Sequence, residues 1–170
     1  MANLGFERTL VVATHGIVSA SESFRLSLKG VAQTYGLVHE VGKLLPFSEN
    51  VLVVSEAENG YLRETAEYFA KFYHTAVIGL ASLNLENSGV YALDRETAVL
   101  AELAQYTADQ NNDLVVVTNS QMSDWLSGHI HKYGRAHLKL RESRAYITKP
   151  NGATHVADFD GVQWWSGSRT

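Results

Sequence analysis

The chain has 170 residues, of which 45% are hydrophobic, 19% charged and only two are proline, which places it among globular proteins of one-domain size and excludes a disordered chain. Its formal net charge is -4 and its basic residues are scattered, so it carries no electrostatic footprint for DNA or RNA. Cysteine is absent, which excludes disulfides, thiolate catalysis and cysteine-based metal sites and fits a reducing compartment. The segment Met1 to Arg8 is polar and holds Glu7, unlike the apolar core of a signal peptide, and no stretch approaches the roughly 20 apolar residues of a membrane span. A soluble, cytoplasmic protein is expected.

The first apolar run is Leu10 to Ala13, and similar short runs follow at Val51 to Val54, Ala76 to Leu80 and Leu114 to Val117. Short, continuous and mostly valine-rich, they predict strands buried on both faces of a parallel sheet. Ser27 is a good N-cap for a helix whose apolar stripe reads Leu28, Val31, Ala32, Tyr35, Val38 and Leu45 and stops at Pro46. Leu62, Ala66, Phe69, Ala70 and Tyr73 mark a second helix. Asp94 caps a third with Val99, Leu100, Leu103 and Tyr106 on its apolar face, and Met122, Leu126, Ile130 and Tyr133 mark a fourth. Alternating strands and helices imply right-handed crossovers, hence an α/β class: a three-layer α/β/α sandwich around a mostly parallel sheet. Ala145 to Thr148 and Thr154 to Asp158 flank Lys149-Pro150-Asn151-Gly152, a turn sequence that predicts an antiparallel hairpin at the end of the sheet. One domain over residues 1–160 and a loosely tethered tail over 161–170 complete the expected organisation.

Ligands of open α/β sheets bind beyond the carboxyl ends of the strands. The residues there are Thr14-His15-Gly16, Ser55-Glu56 and Thr118-Asn119-Ser120. The first and last of these lead from a strand towards a helix, where free backbone N–H groups can hold an anion.

Over residues 8 to 148 this pattern resembles the histidine phosphatase, or phosphoglycerate mutase-like, superfamily, and in size its short phosphohistidine phosphatase branch. That family opens with a strand ending in Arg-His-Gly, and here Leu10-Val11-Val12-Ala13 leads into Thr14-His15-Gly16. Its Leu-Thr-x-x-Gly helix start is similar to Leu26-Ser27-Leu28-Lys29-Gly30. Its strand ending in Ser, then Arg and a later Thr-Ala, looks like Val53-Val54-Ser55 and Tyr61 to Thr65-Ala66. Its last valine-rich strand, leading to a second His, is matched by Val115-Val116-Val117-Thr118-Asn119. The resemblance implies that His15 holds the place of the nucleophile, while Thr14, Tyr61 and Asn119 hold the places of an arginine, a second arginine and the second histidine. It implies Glu86 as the weak counterpart of the proton-donating carboxylate, and it leaves Arg63 as a cation that an insertion before Tyr61 brings towards the site. Thr14, Gly16, Tyr61, Arg63, Thr118 and Asn119 are accordingly the expected ligand-binding residues.

With those charges replaced, the expected pocket is neutral and hydroxyl-lined. The resemblance then predicts a degenerate histidine phosphatase with little or no phosphatase activity, acting by binding a small molecule, a phosphorylated ligand or a protein. The alternative is an active phosphomonoesterase with His15 as nucleophile. A nucleotide-binding α/β module is disfavoured, since no Gly-x-Gly-x-x-Gly or Walker-type loop follows the first strand. No cofactor and no metal are expected: His129 and His131 are two apart on a predicted helix and face different ways, and Asp158 and Asp160 read as solvent-facing. Asn119 also reads as a helix N-cap, and Tyr61 as a packing residue at a helix start. Trp164 and Trp165 place large apolar surface in the tail, either packed back on the domain or offered to a protein partner or second copy. Neither nucleic acid nor membrane is an expected partner.

Overall fold

The computed structural model describes residues 8–22, 24–47, 50–56, 60–80, 83, 102–103, 106, 112–119, 122, 143–149 and 154–158. In chain order the elements are β1 (Leu10–Thr14), α1 (Leu28–Leu44), β2 (Val51–Glu56), α2 (Gly60–Tyr73), β3 (Val77–Leu80), β4 (Asp113–Thr118), β5 (Arg144–Thr148) and β6 (Thr154–Asp158). They form one six-stranded sheet in the order β3-β2-β4-β1-β5-β6. The pairings among β3, β2, β4 and β1 are parallel, and those of β1 with β5 and β5 with β6 are antiparallel. All four predicted parallel strands and the terminal hairpin are therefore present.

Both faces of β1, β2 and β4 are buried, which is why these strands read as unbroken apolar runs instead of alternating ones, whereas β3, expected to be buried on both faces, stands at the sheet edge and is only partly buried, with Gly79 exposed. Val11, Ala13, Val53, Val115 and Val117 meet Leu37, Val41, Leu62 and Phe69 of α1 and α2. Their strand neighbours Leu10, Val12, Val54, Leu114 and Val116 point the other way, against Leu83, Leu103 and Met122. The predicted stripe of α2 is buried throughout, from Leu62 to Tyr73. Of the third and fourth predicted helices, Leu103 and Met122 are buried and Tyr106 packs against their cluster. Their remaining stripe residues lie outside the described residues.

Helix α1 departs from expectation. Ser27 caps it as predicted, its Oγ accepting the Gly30 N–H at 2.9 Å. Yet Leu28 is 92% and Tyr35 58% exposed, and the buried face is Gly30, Gln33, Thr34, Leu37, Val38 and Val41. The cause is polar. The segment after β1 passes under the first turns of α1 and leaves backbone groups to satisfy, so Gln33 Oε1 takes the Ile17 N–H at 2.9 Å, and the Thr34 hydroxyl turns back on Gly30 O at 2.8 Å. A buried unpaired N–H costs more than an exposed leucine. At the other end, the Leu45 and Leu44 carbonyls receive the Tyr73 hydroxyl, at 2.7 Å, and the Lys149 ammonium, which satisfies two of the groups a helix terminus leaves open.

Burial first, and the Asp113 carboxylate second, push the pKa of Tyr73 far above its ordinary 10.0. Its proton is thus held more tightly in the folded state, so its contribution to stability is complete below about pH 10 and is lost as pH rises beyond that value. Tyr73→Phe is expected to lower stability at neutral pH by about 1 kcal/mol and to flatten the alkaline decline, as read by melts at increasing pH. For α1, Leu28→Ala is expected to change stability by no more than about 0.5 kcal/mol in urea, against about 2 to 5 kcal/mol for Leu37→Ala. Equal costs would mean that the outward stripe is not outward in solution.

Candidate functional site

Strands β1 and β4 run side by side, with Leu10 opposite Leu114 and Thr14 opposite Thr118. The next residues, His15 and Asn119, therefore leave the sheet together at its carboxyl edge. The antiparallel strand β5 enters at this same edge, because Ala13 pairs with Ala145 and Arg144 comes just before it.

The backbone that carries His15 is held from three sides. Its own carbonyl accepts the Ser143 N–H at 2.8 Å. The next residue, Gly16, is buried against α1 so closely that a Cβ on it would stand 2.5 Å from Gly30 O, and a Cβ on Gly30 would in turn run into Ile17 O. The Ile17 carbonyl takes both the backbone N–H and the hydroxyl of Ser27, at 2.8 and 2.9 Å. Ser143 is itself buried, at φ 54°, with its hydroxyl on Gln33 O at 3.3 Å. A non-glycine residue in this region is strained and persists only where its surroundings impose it.

Within that frame the His15 ring is half-buried and set edge-on to Tyr61, the second residue of α2, with ring centroids 4.6 Å apart. Its Nδ1 lies 2.7 Å from Gly16 O. A carbonyl only accepts, so Nδ1 carries the proton, and in the neutral imidazole Nε2 keeps its lone pair.

The flanking side chains are committed elsewhere. The Thr14 hydroxyl accepts the Arg144 N–H at 3.0 Å and donates to Arg144 O at 3.2 Å, stitching β1 to β5. Asn119 Oδ1 accepts the N–H of Met122, a helical residue, at 2.8 Å, the three-residue reach of an N-cap. Thr118 is fully buried, and its hydroxyl has no partner among the described residues. Glu56 closes β2 in a buried position two strands from β1.

The edge thus gathers Thr14, His15, Gly16, Tyr61, Thr118 and Asn119. Arg63 does not share the His15 surroundings. Its Nε is 3.6 Å from Glu67 on the exposed side of α2, and it lines a cavity with Phe24 and Tyr68. Glu86, His129, His131, Asp160 and the Trp164-Trp165 tail lie outside the described residues. Among the described residues no group of three His, Cys, Asp or Glu side chains is placed to hold a metal ion, and no helix is long and apolar enough to cross a membrane. Arg144 and Ser143 were missed from sequence. The signal was available, since the first residue of an antiparallel strand lies at the carboxyl edge of its parallel neighbour, but it needed the register of β5.

No family model matches the chain, and no curated protein sequence does. Solved structures do. A mycobacterial glucosyl-3-phosphoglycerate phosphatase superposes with a TM-score of 0.58 at 15% identity, covering 90% of this chain and 98% of its own. The protein histidine phosphatase SixA, solved with tungstate, gives 0.60 at 11% identity over 87% and 93%. A phosphoglycerate mutase from Plasmodium falciparum gives 0.58 at 12% over 91% of each chain. The chain has the histidine phosphatase fold.

Gly30→Ala is expected to cost about 3 kcal/mol in urea unfolding, because the added methyl meets backbone that has nowhere to move. Gly42→Ala is the control: its methyl meets only the rim of the Phe72 ring, which can turn away, and helix propensity favours alanine by about 1 kcal/mol.

Proposed function

We propose that the protein is a degenerate histidine phosphatase that binds a ligand or protein at the His15 edge and has little or no phosphatase activity. The observation that carries this reading is the use made of Thr14 and Asn119. At the places where the resembled family holds an arginine and a histidine, these side chains are spent on stitching β5 and capping a helix. Phosphoryl transfer needs positive donors around oxygens that gain charge in the transition state. Each charged hydrogen bond is worth about 1.5 to 3 kcal/mol, so two arginines and a histidine lost without replacement cost on the order of 4 to 9 kcal/mol, or roughly three to six decades in rate. The Thr14, Thr118 and Ser55 side chains at this edge are neutral and buried, and the Thr14 and Ser55 hydroxyls already donate to backbone carbonyls. The absence of cysteine fits a cytoplasmic setting.

One observation favours the second reading, an active phosphomonoesterase. The Nδ1 contact with Gly16 O leaves His15 Nε2 available as a nucleophile. Steady-state hydrolysis of p-nitrophenyl phosphate separates the two. The degenerate reading expects turnover near background and the same residual rate in His15→Ala. Robust turnover abolished by His15→Ala would establish the enzyme instead.

A further inference from the structure

Beyond His15 the chain leaves the site and folds onto the outer side of α2. A bridge between Val18 and Leu26 closes the neck of this loop, and Ser19 N–H donates to Arg25 O at 2.8 Å. Leu26 N–H donates to Glu64 Oε1 of α2 at 3.0 Å. Gly60, the first residue of α2, lies under the loop, where any Cβ would run into the Phe24 carbonyl. Between loop and helix is a cavity of about 440 Å³ walled by Phe24, Arg25, Arg63, Glu67, Tyr68 and Lys71, a volume within the roughly 300 to 1,000 Å³ of small-molecule sites.

Phe24 has no folding reason to be as it is. Its φ is 73°, a left-handed conformation that is unfavourable for a bulky residue, and it is 64% exposed. It therefore costs stability in its backbone and in its hydration together. Strain of this kind persists where the surroundings enforce it and concentrates at ligand sites. Here the Gly60 contact and the Leu26 to Glu64 bond enforce it.

The cations around the ring differ in their partners. Arg25 is paired with Glu22 at 3.3 Å, and Glu64 accepts the Leu26 N–H. Glu67 is 3.6 Å from Arg63 and lies four residues before Lys71, so one carboxylate stands between two cations. Lys71 forms no ion pair among the described residues. Burial, then Glu64, raise the pKa of Tyr68, so its hydroxyl keeps a proton to donate.

We propose that this cavity is a second ligand site, for a small organic anion whose flat apolar body covers Phe24 and whose carboxylate or phosphate monoester meets Lys71 and Arg63. Aromatic packing supplies one end and charge-assisted hydrogen bonds the other. The site does not depend on chemistry at His15.

Amide chemical-shift titrations of the isotope-labelled full chain with benzoate, phenyl phosphate, inorganic phosphate and benzylamine test it. Saturable shifts at Phe24, Gly60 and Arg63 are expected with benzoate or phenyl phosphate, the tighter of the two naming the anion, and binding about tenfold weaker is expected for inorganic phosphate. Arg63→Gln should weaken the preferred anion about tenfold. Phe24→Gly should do the same while raising the melting temperature, since it removes the strain along with the ring, and His15→Ala should leave the affinity unchanged. Equal saturation by benzylamine, shifts confined to residues 14–17, no saturable response, or full affinity in Phe24→Gly would each overturn the proposal.

Discussion

Everything at the candidate site hangs on the contact between two backbones that carry no side chains where they cross. Gly16 follows β1 and Gly30 lies in the first turn of α1, and neither has room for a Cβ because the other's chain occupies the space. This crossing brings Ile17 to Ser27 and Gln33, whose groups satisfy its carbonyl and its N–H. It also turns α1 so that polar residues face inward and Leu28 and Tyr35 face water. The position of His15, its Nδ1 contact with Gly16 O and its packing on Tyr61 follow from the same crossing.

The frame and the chemistry separate at this point. What holds His15 is backbone and small polar side chains: Gly16, Gly30, Ser27, Ser143. What a phosphoryl group needs is cationic side chains projecting from that frame. The residues nearest to those roles, Thr14 and Asn119, have turned to structural work that an arginine or histidine at the same place would not perform. Restoring the charges would therefore also cut a strand-to-strand stitch and a helix cap, each worth about 1 kcal/mol. Fold and site are stabilised by different atoms, so the fold by itself does not fix the chemistry.

How much of this was legible before the structure depended on the physical origin of each feature. The parallel strands showed themselves because burial on both faces demands continuous valine-rich runs, and the hairpin showed itself through Asn151-Gly152. The inward stripe of α2 was legible because apolar packing alone sets it. That of α1 was legible only at Val38 and Leu45, which are buried; the rest of its orientation answers to the backbone groups of residues 16–17, a need invisible in hydropathy. The pairing of His15 with Asn119 followed from spacing, whereas the part played by Arg144 and Ser143 required the register of β5 against β1. The outlying cavity escaped notice because its residues, Phe24 and Arg63 among them, are brought together by a loop conformation that no periodic pattern encodes.

We propose that His15 is well held and chemically unsupported. The most direct measurement is intact-protein mass spectrometry after incubation with a reactive phosphoryl donor such as phosphoramidate. No stable gain of one phosphoryl group is expected, and the spectra of the native chain and His15→Ala should be indistinguishable. A stoichiometric phosphoryl adduct, labile to acid and absent from His15→Ala, would contradict it.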